Sequence, residues 1–348
     1  MSTSSGYISS TPSLEPAGIG PVLEVDDLHV EFRTRSGVVN AVNGISYTVD
    51  QGETLAILGE SGSGKSVSAQ AILGILDVPP AVIKGGGIRF QGRDMLTMSE
   101  EEQRQIRGPG IAMIFQDALS ALNPVYSVGF QIGEMFRAHR GTSKKEAKQK
   151  AIELMDRVRI PAAARRVNDY PHQFSGGMRQ RVMIAMALAL DPRILIADEP
   201  TTALDVTVQA QVMDLLKDLQ RDTGMGLILI THDLGVVNEV ADRVAVMYAG
   251  RIVEEGPVEA VFDQPAHPYT QGLLASVISL ETTELHSIDG DPPDLVEPPT
   301  GCRFRLRCPY AFAPCEWMDP TLIDLGGGQR AACLLHDDAV GSAAPVHP

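Results

Sequence analysis

Four short apolar segments set the frame of the chain: Thr54-Leu55-Ala56-Ile57-Leu58, Ile111-Ala112-Met113-Ile114-Phe115, Ile194-Leu195-Ile196-Ala197 and Leu227-Ile228-Leu229-Ile230. Apolar runs this short, without polar alternation, predict strands buried on both faces, as in a parallel sheet flanked by helices. Around them lie shorter, more mixed segments. Leu23 to Val25, Leu28 to Phe32, and Ile45 to Val49 before the Gln51-Gly52 turn predict strands; Ile88-Arg89-Phe90 with Gln91-Gly92 predicts a further β element. Arg243 to Tyr248, Ala249-Gly250 and Arg251 to Glu254 predict a hairpin that closes the domain. Residues 125 to 170 read as a helical insertion. Within it Ser143-Lys144-Lys145-Glu146 is a capping box, opening a helix that carries Ala147, Ala151, Leu154, Met155 and Val158 on one face. The fold class is therefore α/β.

The residues at the ends of the apolar segments supply the chemistry. After Leu58 comes Gly59-Glu60-Ser61-Gly62-Ser63-Gly64-Lys65-Ser66, then Val67 to Leu73 as the opening of a helix. Strand, glycine loop and helix form an anion site, because glycine backbones turn their N–H groups inward and the helix adds its positive end. Lys65 then neutralises outer phosphates and the Ser66 hydroxyl meets Mg²⁺. Ile194 to Ala197 deliver Asp198 and Glu199, the first suited to the Mg²⁺ shell and the second to orienting a water. Gln116 follows the strand at Phe115, either as a ligand contact or as a solvated strand end. His232, after Ile230, is placed to hydrogen-bond a γ-phosphate or the attacking water. Phe174-Ser175-Gly176-Gly177-Met178 precedes a helix-like segment reaching Leu190, and is either a second phosphate contact or a glycine-assisted helix start. Phe32 is a base-stacking candidate or a plain core residue.

Composition narrows the class. The chain has 348 residues, 44% apolar and 21% charged, with a net charge of −15, which suits a globular protein without general affinity for nucleic acid or anionic lipid. The longest wholly apolar run, Val182 to Leu190, is too short to cross a bilayer, and Met1 to Gly6 lacks a secretory layout; a cytosolic protein is expected. Residues 1 to 20 are rich in Ser, Thr, Gly and Pro and are expected to be disordered.

All four cysteines fall between 302 and 333: Cys302, Cys308, Cys315 and Cys333. Clustered thiols in a cytosolic protein suggest metal. Their spacing lacks the close pairs of zinc ribbons and suits a [4Fe–4S] cluster, with Zn²⁺, free thiols or disulfides as alternatives. Arg303, Arg305 and Arg307 beside them are expected to offset the cluster's charge.

Together these motifs resemble the nucleotide-binding subunit of an ATP-binding cassette (ABC) transporter. Gly59 to Ser66 is similar to its Walker A loop, Gln116 to the Q-loop, Ser175-Gly176-Gly177 to the signature, Asp198-Glu199 to the Walker B end, Ala203-Leu204-Asp205 to the D-loop and His232 to the switch histidine. Thr201 to Ala210, His232 to Val237, and His267-Pro268-Tyr269-Thr270 with Gly272-Leu273-Leu274 resemble the dipeptide/oligopeptide/nickel importer group, and the resemblance to its D-type subunits, whose similar tails carry a [4Fe–4S] cluster, implies such a cluster on the four cysteines. The Phe174 and Met178 ends of the signature depart from the wider family's Leu and Gln, which leaves open what position 178 contacts. The resemblance implies a P-loop NTPase of ABC type over residues 21–260, with a RecA-like core, an antiparallel β subdomain, a helical subdomain at about 117–185, and a C-terminal extension over 261–348. It implies ATP and Mg²⁺ bound by Gly59, Glu60, Ser61, Gly62, Ser63, Gly64, Lys65, Ser66, Val67, Gln116 and Asp198, with Phe32, and by Ser175, Gly176, Gly177 and Asp205 across a head-to-tail dimer. Glu199, His232, Lys65 and Gln116 are then the catalytic set. The implied partners are a second, paralogous ATPase, two permease subunits and an extracytoplasmic peptide-binding protein at the cytoplasmic face of the membrane, with no nucleic acid. A nickel importer ATPase, a soluble ABC ATPase of DNA repair or translation, and a redox-sensing regulator built on the Cys tail are the competing functions.

Overall fold

The computed structural model describes residues 20–202, 204–276 and 288–341; most of the N-terminal lead-in and Ala203 of the Ala203-Leu204-Asp205 motif lie outside them. Two sheets organise the chain. The first is antiparallel, in the order β2-β1-β4-β5, from β1 (Leu23–Thr34), β2 (Gly37–Val49), β4 (Ala81–Phe90) and β5 (Arg93–Asp94). The second has eight strands and contains β3 (Thr54–Leu58), β6 (Ile111–Ile114), β7 (Ile194–Asp198), β8 (Gly226–Ile230), β9 (Arg243–Tyr248), β10 (Arg251–Pro257), β11 (Ile323–Gly326) and β12 (Gln329–Ala331). Its order is β11-β12-β10-β9-β3-β8-β7-β6, parallel from β9 through β6 and antiparallel beyond β9.

The four apolar segments are the parallel centre of this sheet, and they bury both faces. In β7, Leu195 and Ala197 enter the core formed with the helices, whereas Ile194 and Ile196 enter the core shared with the antiparallel sheet. β8 divides in the same way. In β3, Leu55 and Ile57 face the antiparallel sheet, and Ala56 and Leu58 face a third core that contains Tyr269 and Phe304 from the C-terminal extension. A strand clothed on both sides has no solvated positions, hence the unbroken apolar runs.

Three expectations change. The short strands at 23–25 and 28–32 are one strand with a register shift between Val25 and Leu28, where Asp27 adopts a positive φ of 47°; the bulge breaks the apolar pattern without ending the pairing. The capping box at Ser143 is half made: its side chain accepts from the Glu146 N–H at 3.3 Å, while the Glu146 carboxylate pairs with Lys150. The helix Lys144–Arg157 still buries Ala147, Ala151, Leu154 and Met155. Finally, the hairpin of β9 and β10, turning at Ala249 and Gly250 with φ of 48° and 81°, does not close the sheet. β12 pairs with β10, and β11 with β12, so the extension prolongs the sheet by two strands.

That addition is anchored on Glu254, fully buried in β10. Its carboxylate accepts from the N–H groups of Ala266 (2.8 Å) and His267 (2.9 Å) and from Gln329 Nε2 in β12 (2.8 Å). A buried carboxyl group is tolerated only when its oxygens are so supplied with partners. Gln329→Ala therefore lowers stability by about 1–3 kcal/mol, the cost of leaving a buried acceptor without its donor, measured as a shift of the chemical denaturation midpoint against wild type.

Candidate functional site

The C-terminal ends of β3, β7 and β8 and the segment after β6 open on one edge of the sheet and collect the polar residues. The loop after β3 turns through positive φ at Gly59 (147°), Gly62 (79°) and Gly64 (103°). Side chains are excluded there: a Cβ at Gly59 would lie 2.1 Å from the Met247 carbonyl oxygen, and one at Gly64 2.3 Å from that of Ala41. The loop leads directly into the helix Lys65–Leu73, whose first N–H groups lack helical partners and point toward the loop. Lys65 Nζ donates to the carbonyls of Gly59 (2.7 Å) and Glu60 (2.9 Å), leaving one of its three donors for a further acceptor. Burial pulls its ammonium below the ordinary lysine range, against the opposing pull of Glu199, Asp198 and Glu60.

Ser66 Oγ donates to Asp198 Oδ1 at 3.0 Å. Burial pushes the Asp198 carboxyl above its usual range, with the Ser66 bond and Lys65 opposing and Glu199 assisting. Glu199 adopts φ 44°, an uncommon left-handed conformation for a non-glycine residue, with its N–H bonded to the Ile230 carbonyl of β8 at 2.8 Å. This turn directs its side chain into the site. Oε2 accepts from Gln116 Nε2 (2.9 Å) and Thr202 Oγ1 (2.8 Å), and Oε1 faces His232 Nδ1 at 3.6 Å. Two donors thus fix one carboxylate oxygen, and the other retains acceptor capacity beside an exposed imidazole.

Lys65, Ser66, Gln116, Asp198, Glu199 and His232, drawn from positions up to 167 apart, are thereby brought together. Ser61 and Gly62 are exposed on the loop, Ser63 is buried with its hydroxyl unpaired, and Val67 packs against the core beside the loop. Phe32 is partly buried against that same core. Ser175 and Gly176 are exposed; among the described residues no hydrogen bond links Ser175 to the glycine loop, and its hydroxyl caps the helix Gly176–Leu188 through the Met178 N–H at 3.4 Å. Gly177 has a packing reason as well, since a Cβ there would stand 2.4 Å from Val208 Cγ1. Met178 Sδ accepts from Arg166 Nη1 at 3.4 Å, so position 178 has an intramolecular contact. Asp205 caps the helix Val206–Thr223 through the Val208 N–H at 3.0 Å.

The four cysteines are free thiols, Cys315 and Cys333 buried and Cys302 and Cys308 partly so. The expected [4Fe–4S] or zinc site has no counterpart as a preformed ion site: among the described residues no group of three or more His, Cys, Asp or Glu is arranged to hold a metal ion. The arginine trio is also spent differently from expectation. Arg303 donates to the Ala249 carbonyl, Arg305 to that of Thr300, and Arg307 pairs with Glu60 of the glycine loop. Sequence reasoning missed this pairing, the Thr202 bond to Glu199, and the Tyr269 hydroxyl that accepts from the Glu60 N–H at 2.8 Å. No local feature of the chain marks the Arg307–Glu60 pair, whose members lie 247 positions apart.

A family model described as "ABC transporter" matches residues 42–202, and one described as "Oligopeptide/dipeptide transporter, C-terminal region" matches residues 253–315. The chain is 53% identical over 322 residues to the oligopeptide transport ATP-binding protein OppD of Bacillus subtilis (strain 168), covering 91% of this chain and 90% of that one. It is 52% identical over 318 residues to the dipeptide transport ATP-binding protein DppD of the same organism, covering 91% and 95%. The chain belongs to the ABC transporter family. Among solved structures, this ABC subunit is similar to the ATP-binding cassette MJ0796 in a dimeric post-hydrolysis state bound to ADP and Pi, with TM-score 0.61 and 27% identity over 68% of this chain and 98% of that one. It is also similar to cbiO1 of Clostridium perfringens, with TM-score 0.60 and 29% identity over 70% and 91%. The cassette proper thus spans about two thirds of this ABC subunit, and the rest includes the extension that completes its sheet.

Asp198 gives the site a stability signature. Because its folded pKa is raised, its neutral form favours folding in acid, and that contribution is lost as pH rises through the raised value. Asp198→Asn removes the loss: its melting temperature without nucleotide exceeds wild type by a few degrees at neutral pH, and the advantage vanishes in acid. Thermal scans across pH check this.

Proposed function

We propose that this ABC subunit hydrolyses MgATP in a head-to-tail pair of cassettes and so powers import of di- or oligopeptides through membrane permease subunits. The observation that carries the proposal is the convergence of the glycine loop, Asp198, Glu199, Gln116 and His232 on one sheet edge, in a chain whose relatives are named as peptide import ATPases. The glycine loop and helix start receive the phosphates, and the remaining Lys65 donor reaches their outer oxygens. Glu199 Oε1 accepts a proton from the attacking water while Gln116 and Thr202 hold Oε2, which fixes the direction of attack. His232, beside that oxygen, steadies the water and the γ-phosphate. The Ser66 and Asp198 oxygens are hard donors 3.0 Å apart and fit Mg²⁺, with the Gln116 carbonyl oxygen as a third. Bound there, Mg²⁺ neutralises charge on the phosphate oxygens.

The exposed signature at Ser175 and Gly176 fits a nucleotide held by the partner's loop. The partner is a paralogous ATPase. Phe115, Val125, Tyr126 and Phe130 are exposed near Gln116 in sequence, with Tyr126 stacked on Phe130 at 4.8 Å. This apolar surface suits a permease segment and supports a peripheral position at the cytoplasmic face. Among the described residues no helix is long and apolar enough to cross a membrane. An extracytoplasmic peptide-binding protein delivers the cargo.

We infer further that the four thiols hold a [4Fe–4S] cluster. Support comes from their confinement to residues 302–333 in a chain with no other cysteine, and from the Cys302 N–H bond to the Cys315 carbonyl at 2.9 Å, which holds two of the four residues side by side. Cys302, Cys308 and Cys333 each also accept from the backbone N–H two residues on, those of Phe304, Tyr310 and Leu335. Such amides stabilise thiolates. The spacing, Cys302, Cys308, Cys315 and Cys333, lacks the close Cys pairs of the usual zinc ribbons, which favours the cluster over a single zinc ion. Burial pushes Cys308 up to about 12 and Cys333 to about 11, so ligation must displace protons and is favoured as pH rises.

Two measurements test these readings. In the intact transporter, Glu199→Gln cuts hydrolysis by about 10²-fold or more while MgATP binding persists; brisk turnover by that variant refutes the assignment. Anaerobically purified chain carries about four iron atoms and matching sulfide and absorbs broadly in the visible, and Cys308→Ser loses both. Stoichiometric zinc without iron overturns the cluster.

A further inference from the structure

The first variable residue of the glycine loop is an acid. A carboxylate beside a pocket built for anions is electrostatically misplaced unless something answers its charge. Glu60 is answered from 247 positions away: Arg307 Nη1 meets Oε2 at 2.8 Å and Nη2 meets Oε1 at 3.1 Å, the two-pronged geometry of a strong guanidinium–carboxylate pair. Arg307 is 6% exposed at its side chain and Glu60 26%.

The guanidinium is itself held. Nε donates to the Asp289 carbonyl at 3.1 Å, Nη2 also reaches that of Ile288 at 3.3 Å, and Nη1 reaches the Tyr248 hydroxyl at 3.4 Å. The aromatic rings of Tyr248, Tyr269 and Phe304 pack together with centroids 4.6 to 5.5 Å apart beneath it. The same cluster supplies the Tyr269 hydroxyl that receives the Glu60 N–H. Glu60 is therefore fixed at its side chain and its N–H by the extension, while its carbonyl oxygen holds Lys65.

We propose that Arg307 is a positioning residue of the nucleotide site, neutralising Glu60 and bracing the Gly59–Glu60 backbone so that the loop receives a triphosphate without repelling it. The inference rests on the reading of that site as an ATP site. Remove Arg307, and an uncompensated carboxylate faces the incoming phosphates. Remove the Glu60 charge as well, and the repulsion goes with it, leaving only the loss of bracing.

The test measures affinity of the full-length chain for a fluorescent ATP analogue with Mg²⁺, in wild type, Glu60→Gln, Arg307→Ala, Arg307→Lys and the Glu60→Gln/Arg307→Ala double variant, with thermal unfolding as the folding control. Arg307→Ala weakens binding about tenfold, the order of one partly screened charge, and the deficit shrinks with added salt. Arg307→Lys, which keeps the charge and loses the fork, falls between. The double variant binds within about threefold of Glu60→Gln alone, a strongly non-additive cycle. Wild-type affinity in well-folded Arg307→Ala overturns the proposal, as does an equal deficit with and without Glu60→Gln, which marks Arg307 as merely structural. If Arg307→Ala does not fold, Arg307→Lys and the double variant carry the comparison. Failure of wild type itself to bind the analogue sinks the ATP-site reading beneath the proposal instead.

Discussion

The arrangement depends on strands buried from both sides. β3, β7 and β8 are apolar through their middles because one face packs on the helices or the extension and the other on the antiparallel sheet. Parallel pairing sends their C-terminal ends to the same edge, and with the strand middles apolar, the polar site residues gather at those ends and just past them. Lys65, Asp198, Glu199 and His232 are neighbours for this reason, although 167 positions separate the first from the last.

The site concentrates charge where burial resists it. Lys65 is 5% exposed and Asp198 4%, and each is held against the form it carries in water. Glu199 occupies a left-handed backbone conformation. Such features lower stability, and the surrounding sheet must over-determine them for the site to persist. The core on either side of β7 and β8, with Leu195, Ile196, Ile228 and Leu229 all buried, meets that requirement.

What was readable in the chain beforehand follows from range. Each element of the nucleotide edge announces itself locally: a glycine loop needs its glycines in order, and a buried strand needs four or five apolar residues followed by its polar end. Contacts that join distant segments leave no such trace. Arg307 lies among thiols, and its partner Glu60 is 247 positions away; nothing adjacent to either residue predicts the pair. The hairpin of β11 and β12 escaped for another reason. Its sequence, Ile323 to Ala331, is short and glycine-rich, with three consecutive glycines at positive φ, so it reads as a loop until β10 offers an edge. The bulge at Asp27 hid the continuity of β1 in the same manner, one polar residue interrupting an alternation that the pairing tolerates.

The late arrival of β12 bears on how the protein is made. About 70 residues separate the end of β10 from the start of β12, so at roughly 5–20 residues per second the nascent chain waits several seconds with that flank unzipped. An uncovered flank normally invites a stranger's backbone. Here Glu254 and Glu255, both concealed in the finished molecule, stand hydrated in the interval, polar side chains that an intruding strand would have to strip of water, until Gln329 and Arg330 emerge from the ribosome and claim them.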